Sequence, residues 1–221
     1  MIRFLKFLFR LNFKTLYFNF TYLPFHQAKK LPFLVSRKVY LSQTKGVVSI
    51  EGPITTGMIR IGYGDVGIFD KKRSRSIWQV SGKVIFKGTA HLGHGSKISV
   101  GKQGVLELGP NFALTAESAI VSHKQIVFGK NCLVSWECLI MDTDFHKIYD
   151  AEGQWVNPPK EIIIGDKVWL GARNTLLKGT KIASHSIIGA NSQVSKDISD
   201  QSGLFAGNPI KHLKDGIHWE V

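Results

Sequence analysis

A parallel β-solenoid is the fold class that three features of this 221-residue sequence predict. From Ile164 the chain divides into units of six, IGDKVW LGARNT LLKGTK IASHSI IGANSQ VSKDIS, each opening on an aliphatic residue: Ile164, Leu170, Leu176, Ile182, Ile188 and Val194. The second residue of each unit is small or polar (Gly165, Gly171, Ala183, Gly189, Ser195) except Leu177, and the fifth is mostly small. Neither the three-and-four spacing of an amphipathic helix nor the strict alternation of a half-buried hairpin fits this pattern. A hexad with one large aliphatic residue and a turn residue beside it supplies one short strand and one corner. Three such sides per coil stack strands about 4.8 Å apart around a narrow apolar interior.

The elements follow in chain order. In MIRFLKFLFRLNFKTLYFNF, drawn at about 100° per residue, Arg3, Lys6, Arg10 and Lys14 share one narrow sector, which predicts a basic-striped amphipathic helix. Such a helix either lies on an anionic membrane face or packs on the protein's own body or a neighbouring subunit. Its charges recur through the apolar run and no A-x-A-like site follows, so it does not read as a signal peptide. No apolar run approaches the roughly 18 residues of a membrane-spanning helix. Residues 1–50 thus read as helix and lead-in, 51–199 as the β-helix body, and 200–221 as a C-terminal cap. IRIGYGDVGIFD and SIWQVSG suggest an irregular first coil. From about residue 84 the frame is regular, with Phe86, Leu92 and Ile98, then Leu108, Leu114 and Ile120, then Phe128, Val134 and Ile140 at the first position.

Beyond Ile140 the same frame would put His146, Glu152 and Pro158 into the apolar interior, which none of them can fill. Residues 142–160, beginning within MDTDFHKIYD, therefore leave the solenoid as a loop, and Glu161 to Ile164 re-enter it. Loops of that length in a regular scaffold usually carry function.

Cys132 and Cys138 occupy the fifth position of their hexads without a CxxC pair, and read as small packed residues in a reducing compartment. The 29 Lys and Arg against 16 Asp and Glu give a net charge of +13, which suits an anionic partner: nucleic acid, an acidic membrane face, an acidic glycan or a phosphate-bearing cofactor. Nucleic acid is set aside because the chain carries no aromatic-basic strand motif or recognition-helix signature.

The hexads, DTDFH, IGDKVWLGA, IIGANSQVSKDI and AGNPIKHL together resemble the hexapeptide-repeat acyltransferases, and within them the sugar O-acetyltransferases encoded with polysaccharide and lipopolysaccharide assembly, over about residues 84–214. The resemblance implies an all-β, left-handed parallel β-helix, a hand that the general crossover rule would not supply. It also implies a homotrimer with its sites between subunits, and acetyl-CoA as co-substrate with no metal; the cytoplasmic location is the one the two cysteines suggest. The implied acceptor is a sugar hydroxyl of a surface polysaccharide or of its lipid-linked or nucleotide-sugar precursor.

His146 matches the family's base, which must strip a proton from an alcohol and pass it to the departing thiolate. Asp144 and Asp142 are the nearby carboxylates, able to orient the ring, grip a sugar hydroxyl or simply form an Asp-Thr-Asp turn. Trp155 offers a face for a sugar ring or an anchor for the loop. Trp169, Gly171 and Ala172 match the segment lining the pantetheine and acetyl end, with the amide after Gly171 as oxyanion donor, and Ala190 continues that track. Ser195 and Lys196 align with the nucleotide end, Ser195 standing where the family more often has Thr. Lys211 and Lys214 match basic residues that face the phosphates, and read equally as a solvated edge.

Other readings of the same scaffold stay open. One is a sugar N-acetyltransferase. A second is a gamma-type carbonic anhydrase, for which His91, His94 and His123 would be the metal ligands, although their spacing departs from that family's. A third is a non-catalytic scaffold carried to a membrane by the basic helix, against which the histidine loop argues.

Overall fold

The computed structural model describes residues 11–220, and its strands wind into a three-sided prism. Sheet A stacks β1 (Phe33–Val35), β4 (Ile59–Tyr63), β7 (Ala90–His94), β10 (Phe112–Ala116), β13 (Leu133–Val134), β16 (Trp169–Leu170), β19 (Ile187–Ile188) and β22 (Leu204–Ala206). Sheet B stacks β2 (Val39–Thr44), β5 (Ser76–Val80), β8 (Lys97–Val100), β11 (Ala119–Ser122), β14 (Leu139–Met141), β17 (Thr175–Leu177) and β20 (Gln193–Val194). Sheet C stacks β3 (Val47–Ile50), β6 (Lys83–Phe86), β9 (Val105–Leu108), β12 (Gln125–Phe128), β15 (Ile162–Ile164), β18 (Lys181–Ile182) and β21 (Asp197–Ile198). The chain visits A, B and C in turn, so each coil gives one strand to each side and neighbours within a sheet pair in parallel. This is the all-β parallel β-helix that the hexads predict.

Register shows why the sequence folds this way. Leu114, Val134, Leu170 and Ile188 stack as one column, Ile120, Ile140, Leu176 and Val194 as a second, and Phe128, Ile164, Ile182 and Ile198 as a third. Every one of these side chains is buried. Each contributes roughly 1.5–3 kcal/mol by leaving water. The fifth hexad position is buried too, and it holds small polar residues because it lies at the corners, where a side chain must also serve backbone. Asn174 is an example: its Nδ2 donates to the carbonyls of Gly171 (2.9 Å) and Ile188 (3.2 Å), and its Oδ1 accepts from Ser192 N (2.7 Å). Cys132 and Cys138 fill the same slot, each about 2% exposed, and burial pushes both thiols up to about 11.

The β-helix begins earlier than the boundary at residue 51 expected from sequence. β1, β2 and β3 already form a complete coil, with Phe33, Val35, Val39, Val48 and Ile50 buried; the insertion between β4 and β5 of the second coil separates it from the regular frame. Above that coil lie α1 (Phe13–Tyr22) and α2 (Phe25–Ala28). α1 starts where Asn12 Oδ1 accepts from Lys14 N (2.9 Å) and Thr15 N (3.2 Å), the usual side-chain cap of a helix start. Its inner face closes the prism. Phe18 is fully buried against Tyr22, Phe33 and Trp78, with ring centroids 4.7–5.1 Å away. Asn19 and Thr15 take over the hydrogen bonds that a preceding strand would make with β1: Asn19 pairs with Phe33 O and N at 2.9 and 3.1 Å, and Thr15 Oγ1 accepts from Val35 N at 3.0 Å. An open sheet edge is thereby covered.

Lys14 does not point away from the body in an exposed basic stripe. Its Nζ donates to the carbonyls of Arg37 (2.7 Å) and Val39 (2.6 Å), and burial, then Arg75, hold its pKa below the usual lysine value. From Phe13 to Tyr22 the helix thus packs on the protein itself. The other members of the expected stripe, Arg3, Lys6 and Arg10, lie outside the described residues. Among the described residues no helix is long and apolar enough to cross a membrane. At the far end β23 (Lys211–Lys214) folds back antiparallel on β22 and covers the last edge of sheet A.

Candidate active site

The corner between sheets B and C is where the lattice opens. β14 ends at Met141, β15 begins at Ile162, and the intervening residues project as a hairpin in which Tyr149 bridges Trp155 and Val156 N donates to Ile148 O at 3.0 Å. Asp150 turns the tip, its Oδ1 accepting from Glu152 N (3.1 Å) and Gln154 N (2.8 Å). His146 is exposed on the hairpin's first arm, and its ring makes no hydrogen bond within the chain among the described residues. An imidazole in that condition has both nitrogens available to a ligand.

The two aspartates divide the work of holding the loop. Asp142 is fully buried, and its carboxylate accepts from His123 N (2.6 Å), Lys124 N (2.9 Å) and Ser122 Oγ (3.0 Å) of the preceding coil. It fastens the root of the loop and has no face left for a sugar, so the expectation of a substrate contact is corrected. Asp144 is exposed, and its Oδ2 pairs with Lys178 Nζ and accepts from Asn157 Nδ2 at 2.8 Å. Lys178 first and Asn157 second hold this carboxyl below the usual range. The expected bond from Asp144 to the His146 ring is not made within the chain; Asp144 instead ties the hairpin to the next coil.

Two residues that sequence reasoning missed complete this fastening. Lys178, at the B–C corner after β17, also donates to Asn157 O at 3.0 Å. Asn157 is the hub: its Nδ2 reaches Asp144 and the carbonyl of His146 (2.9 Å), and its Oδ1 accepts from Ile148 N (2.6 Å) and Trp155 Nε1 (2.9 Å). Nothing in VNPP or LLKGTK marks them, because their importance lies in contacts across the loop's closure. Trp155 is 43% exposed, with Lys147 Nζ 4.7 Å above its ring, so one indole edge anchors while the ring remains in reach of a ligand.

The residues expected to hold the acyl donor fall into separate places. Gly171 and Ala172 form the A–B corner between β16 and β17, and Ala190 lies one coil below at the same corner. A Cβ on Gly171 would sit 2.8 Å from Ala190 N, so the coils approach here as only glycine allows. The Ala172 N–H makes no hydrogen bond within the chain among the described residues. Trp169 stands on the outer side of sheet A, its Nε1 donating to Ser135 Oγ at 3.1 Å and its ring 6.1 Å from that of the buried Trp219. Ser195 and Lys196 are exposed at the B–C corner, on the His146 edge of the prism. Lys211 and Lys214 are exposed on β23. One chain therefore carries the histidine on one edge and the Gly171–Ala172–Ala190 track on another, with the width of sheet B between them.

The trio His91, His94 and His123 forms no metal-holding group among the described residues. His123 packs edge-on against Phe145 at 5.0 Å, and His94 bonds Ser74.

No family model matches the chain. Over 104 residues it is 36% identical to a polysialic acid O-acetyltransferase of Neisseria meningitidis, a stretch that covers 47% of this chain and 48% of that protein. Over 134 residues it is 30% identical to a polysialic acid O-acetyltransferase of Escherichia coli O1:K1, covering 60% of this chain and 41% of the relative. A putative lipopolysaccharide biosynthesis O-acetyl transferase of Escherichia coli strain K12 is 28% identical over 152 residues, 63% of this chain and 77% of that protein. The chain spans less than half the length of the two polysialic acid relatives. The resemblance to hexapeptide-repeat O-acetyltransferases that the motifs suggest is thus present in sequence relatives bearing that activity in their names.

Proposed function

We propose that this hexapeptide-repeat chain, similar in sequence to polysialic acid O-acetyltransferases, transfers the acetyl group of acetyl-CoA to a sugar hydroxyl, working as a cytoplasmic homotrimer on a surface glycan or its precursor. The observation that carries the reading is His146: an exposed imidazole with no partner of its own among the described residues, on a hairpin fastened by Asp142, Asp144, Asn157 and Lys178. A base must be within reach of the proton it takes and must not already be spent on another bond.

His146 accepts the proton of the acceptor hydroxyl as its oxygen attacks the thioester carbonyl. The tetrahedral oxyanion so formed is met by the N–H of Ala172, which is unpaired among the described residues. Collapse expels the thiolate of coenzyme A, and the imidazolium returns its proton to that sulfur, leaving the acetyl ester, the free thiol and a neutral histidine. Cys132 and Cys138 take no part, because burial keeps both thiols protonated. Since His146 and Ala172 lie on different edges of one prism, the reading pairs the hairpin of one copy with the A–B corner of the next, which a cyclic trimer closes three times. Ser195, Lys196, Lys211 and Lys214 then serve the nucleotide and phosphate end of the donor.

The test is turnover of His146→Ala with acetyl-CoA and a panel of sugar acceptors, followed by thiol release. Turnover falls by about 10²–10⁴-fold while coenzyme A still binds; a variant as active as the parent removes His146 as the base.

A further inference from the structure

We infer that a cavity on the A–B edge, near the α1 end of the prism, is a binding site for a soluble sugar phosphate. It measures about 810 Å³, and its lining includes Arg37, Lys38, Lys71, Lys72, Asp65 and His94. Among the described residues, four cations there face one carboxylate, which is itself paired with Lys71 at 3.4 Å. Lys38 donates across the cavity to the carbonyl of Lys71 in one exposed hydrogen bond. A surplus of this kind is neutralised better by a phosphate dianion than by a single carboxylate.

The opposite demand comes from His94, which is 3% exposed. Its Nδ1 lies 3.2 Å from Ser74 Oγ, and Ser74 gives its one proton to Glu117 Oε1. Ser74 can therefore only accept from His94, which fixes the proton of the neutral ring on Nδ1. Glu117 is held further by Lys97 at 2.9 Å. Burial alone would raise its carboxyl, but Ser74 and Lys97 outweigh that and keep it ionised at the foot of the relay. The Nε2 of His94 is then a lone-pair acceptor, buried and without a partner among the described residues. Leaving such a group unpaired costs about 1–3 kcal/mol; His94 lines the cavity, and a ligand hydroxyl removes that cost once the ring turns Nε2 toward it. A wall of cations beside a buried acceptor calls for one molecule with a phosphate and a free hydroxyl.

The site is distinct from the donor track. His94 pairs in register with Ala116, whose carbonyl accepts from Glu137 N, and Trp136 O in turn accepts from Arg173 N. Three coils, about 14 Å, thus separate it from Ala172 along the same edge. The inference rests on the acetyltransferase reading only in taking a sugar as the ligand class, and it is tested without an acyl donor.

Calorimetry of the full chain with glucose 1-phosphate, glucose, glucuronate and inorganic phosphate tests it. Glucose 1-phosphate saturates one site per chain, and the other three bind about tenfold more weakly or not at all. Lys38→Ala with Lys72→Ala weakens glucose 1-phosphate by about tenfold at an unchanged melting temperature. His94→Gln weakens it several-fold, roughly the loss of one hydrogen bond, and leaves inorganic phosphate unaffected. The exposed lysine pair keeps the test decisive if the buried substitution unfolds the chain. Absence of saturable binding, unchanged affinity in the lysine variant, or inorganic phosphate or glucuronate binding as tightly as glucose 1-phosphate overturns the assignment. His146→Ala retains this binding, so failure of the transfer reading and failure of this site are read separately.

Discussion

The stacked interior and the 142–160 hairpin are built on opposite principles. In the interior each position repeats the chemistry of the one above it, so Ile120, Ile140, Leu176 and Val194 form one column and any coil supports its neighbours. In the hairpin nothing repeats, and one asparagine carries four hydrogen bonds that nothing else in the loop duplicates. Redundant packing gives stability, whereas a single hub gives a defined geometry to one imidazole. This chain thus separates what keeps it folded from what positions the proposed base.

That separation can be broken from either side. The largest effect is expected in a column: Leu176→Ala, at a fully buried position, should lower stability by about 2–5 kcal/mol, measured by denaturant unfolding. If loss there were as small as at the surface, the columns would not be the source of stability. A smaller effect is expected at the loop. Lys178→Ala should leave the unfolding midpoint nearly unchanged and lower kcat by roughly ten- to a hundredfold, as displacement of a positioned group does, with KM for the donor little altered. A matching fall in stability would instead make Lys178 part of the scaffold. The pairing with Asp144 has a direction in pH. Its carboxyl is held below the usual range, so the contact is in place above that range and is lost only as pH falls through the lowered value. Protease protection of the hairpin should persist through mildly acidic pH and fail only below the ordinary carboxylate range.

How much of this the sequence makes legible follows from the same contrast. The columns can be read directly, since a six-residue period survives in the letters wherever the coil is regular. The first coil cannot: Val35, Leu41 and Ile50 hold its column positions, but the long insertion between Tyr63 and Ser76 in the second coil breaks the six-residue frame before it is reached. The loop's departure is visible at His146, where a histidine falls on an aliphatic position. Its fastening is not, because Lys178 and Asn157 matter through contacts between residues that are 21 apart in the chain. Asp142 and Asp144 look equivalent as letters, and only burial distinguishes a root clamp from an exposed tether.

The weakest expected effect is at the end of the prism. Replacing the exposed Lys211 and Lys214 by alanine should weaken coenzyme A only several-fold, as exposed ion pairs do, and weaken a dephosphorylated analogue less. Equal weakening of both would remove the phosphate contact.

In the proposed arrangement His146 of one copy acts at the A–B corner of another. Mixing two inactive chains tests it most directly, His146→Ala with one blocked at the donor track by Gly171→Trp, which collides with Ala190. After joint refolding, interfaces that combine an intact histidine with an intact corner should restore about a quarter of the parent turnover in a randomly mixed trimer. Turnover that stays at the level of the separate variants, with mixed oligomers demonstrably formed, would contradict the claim.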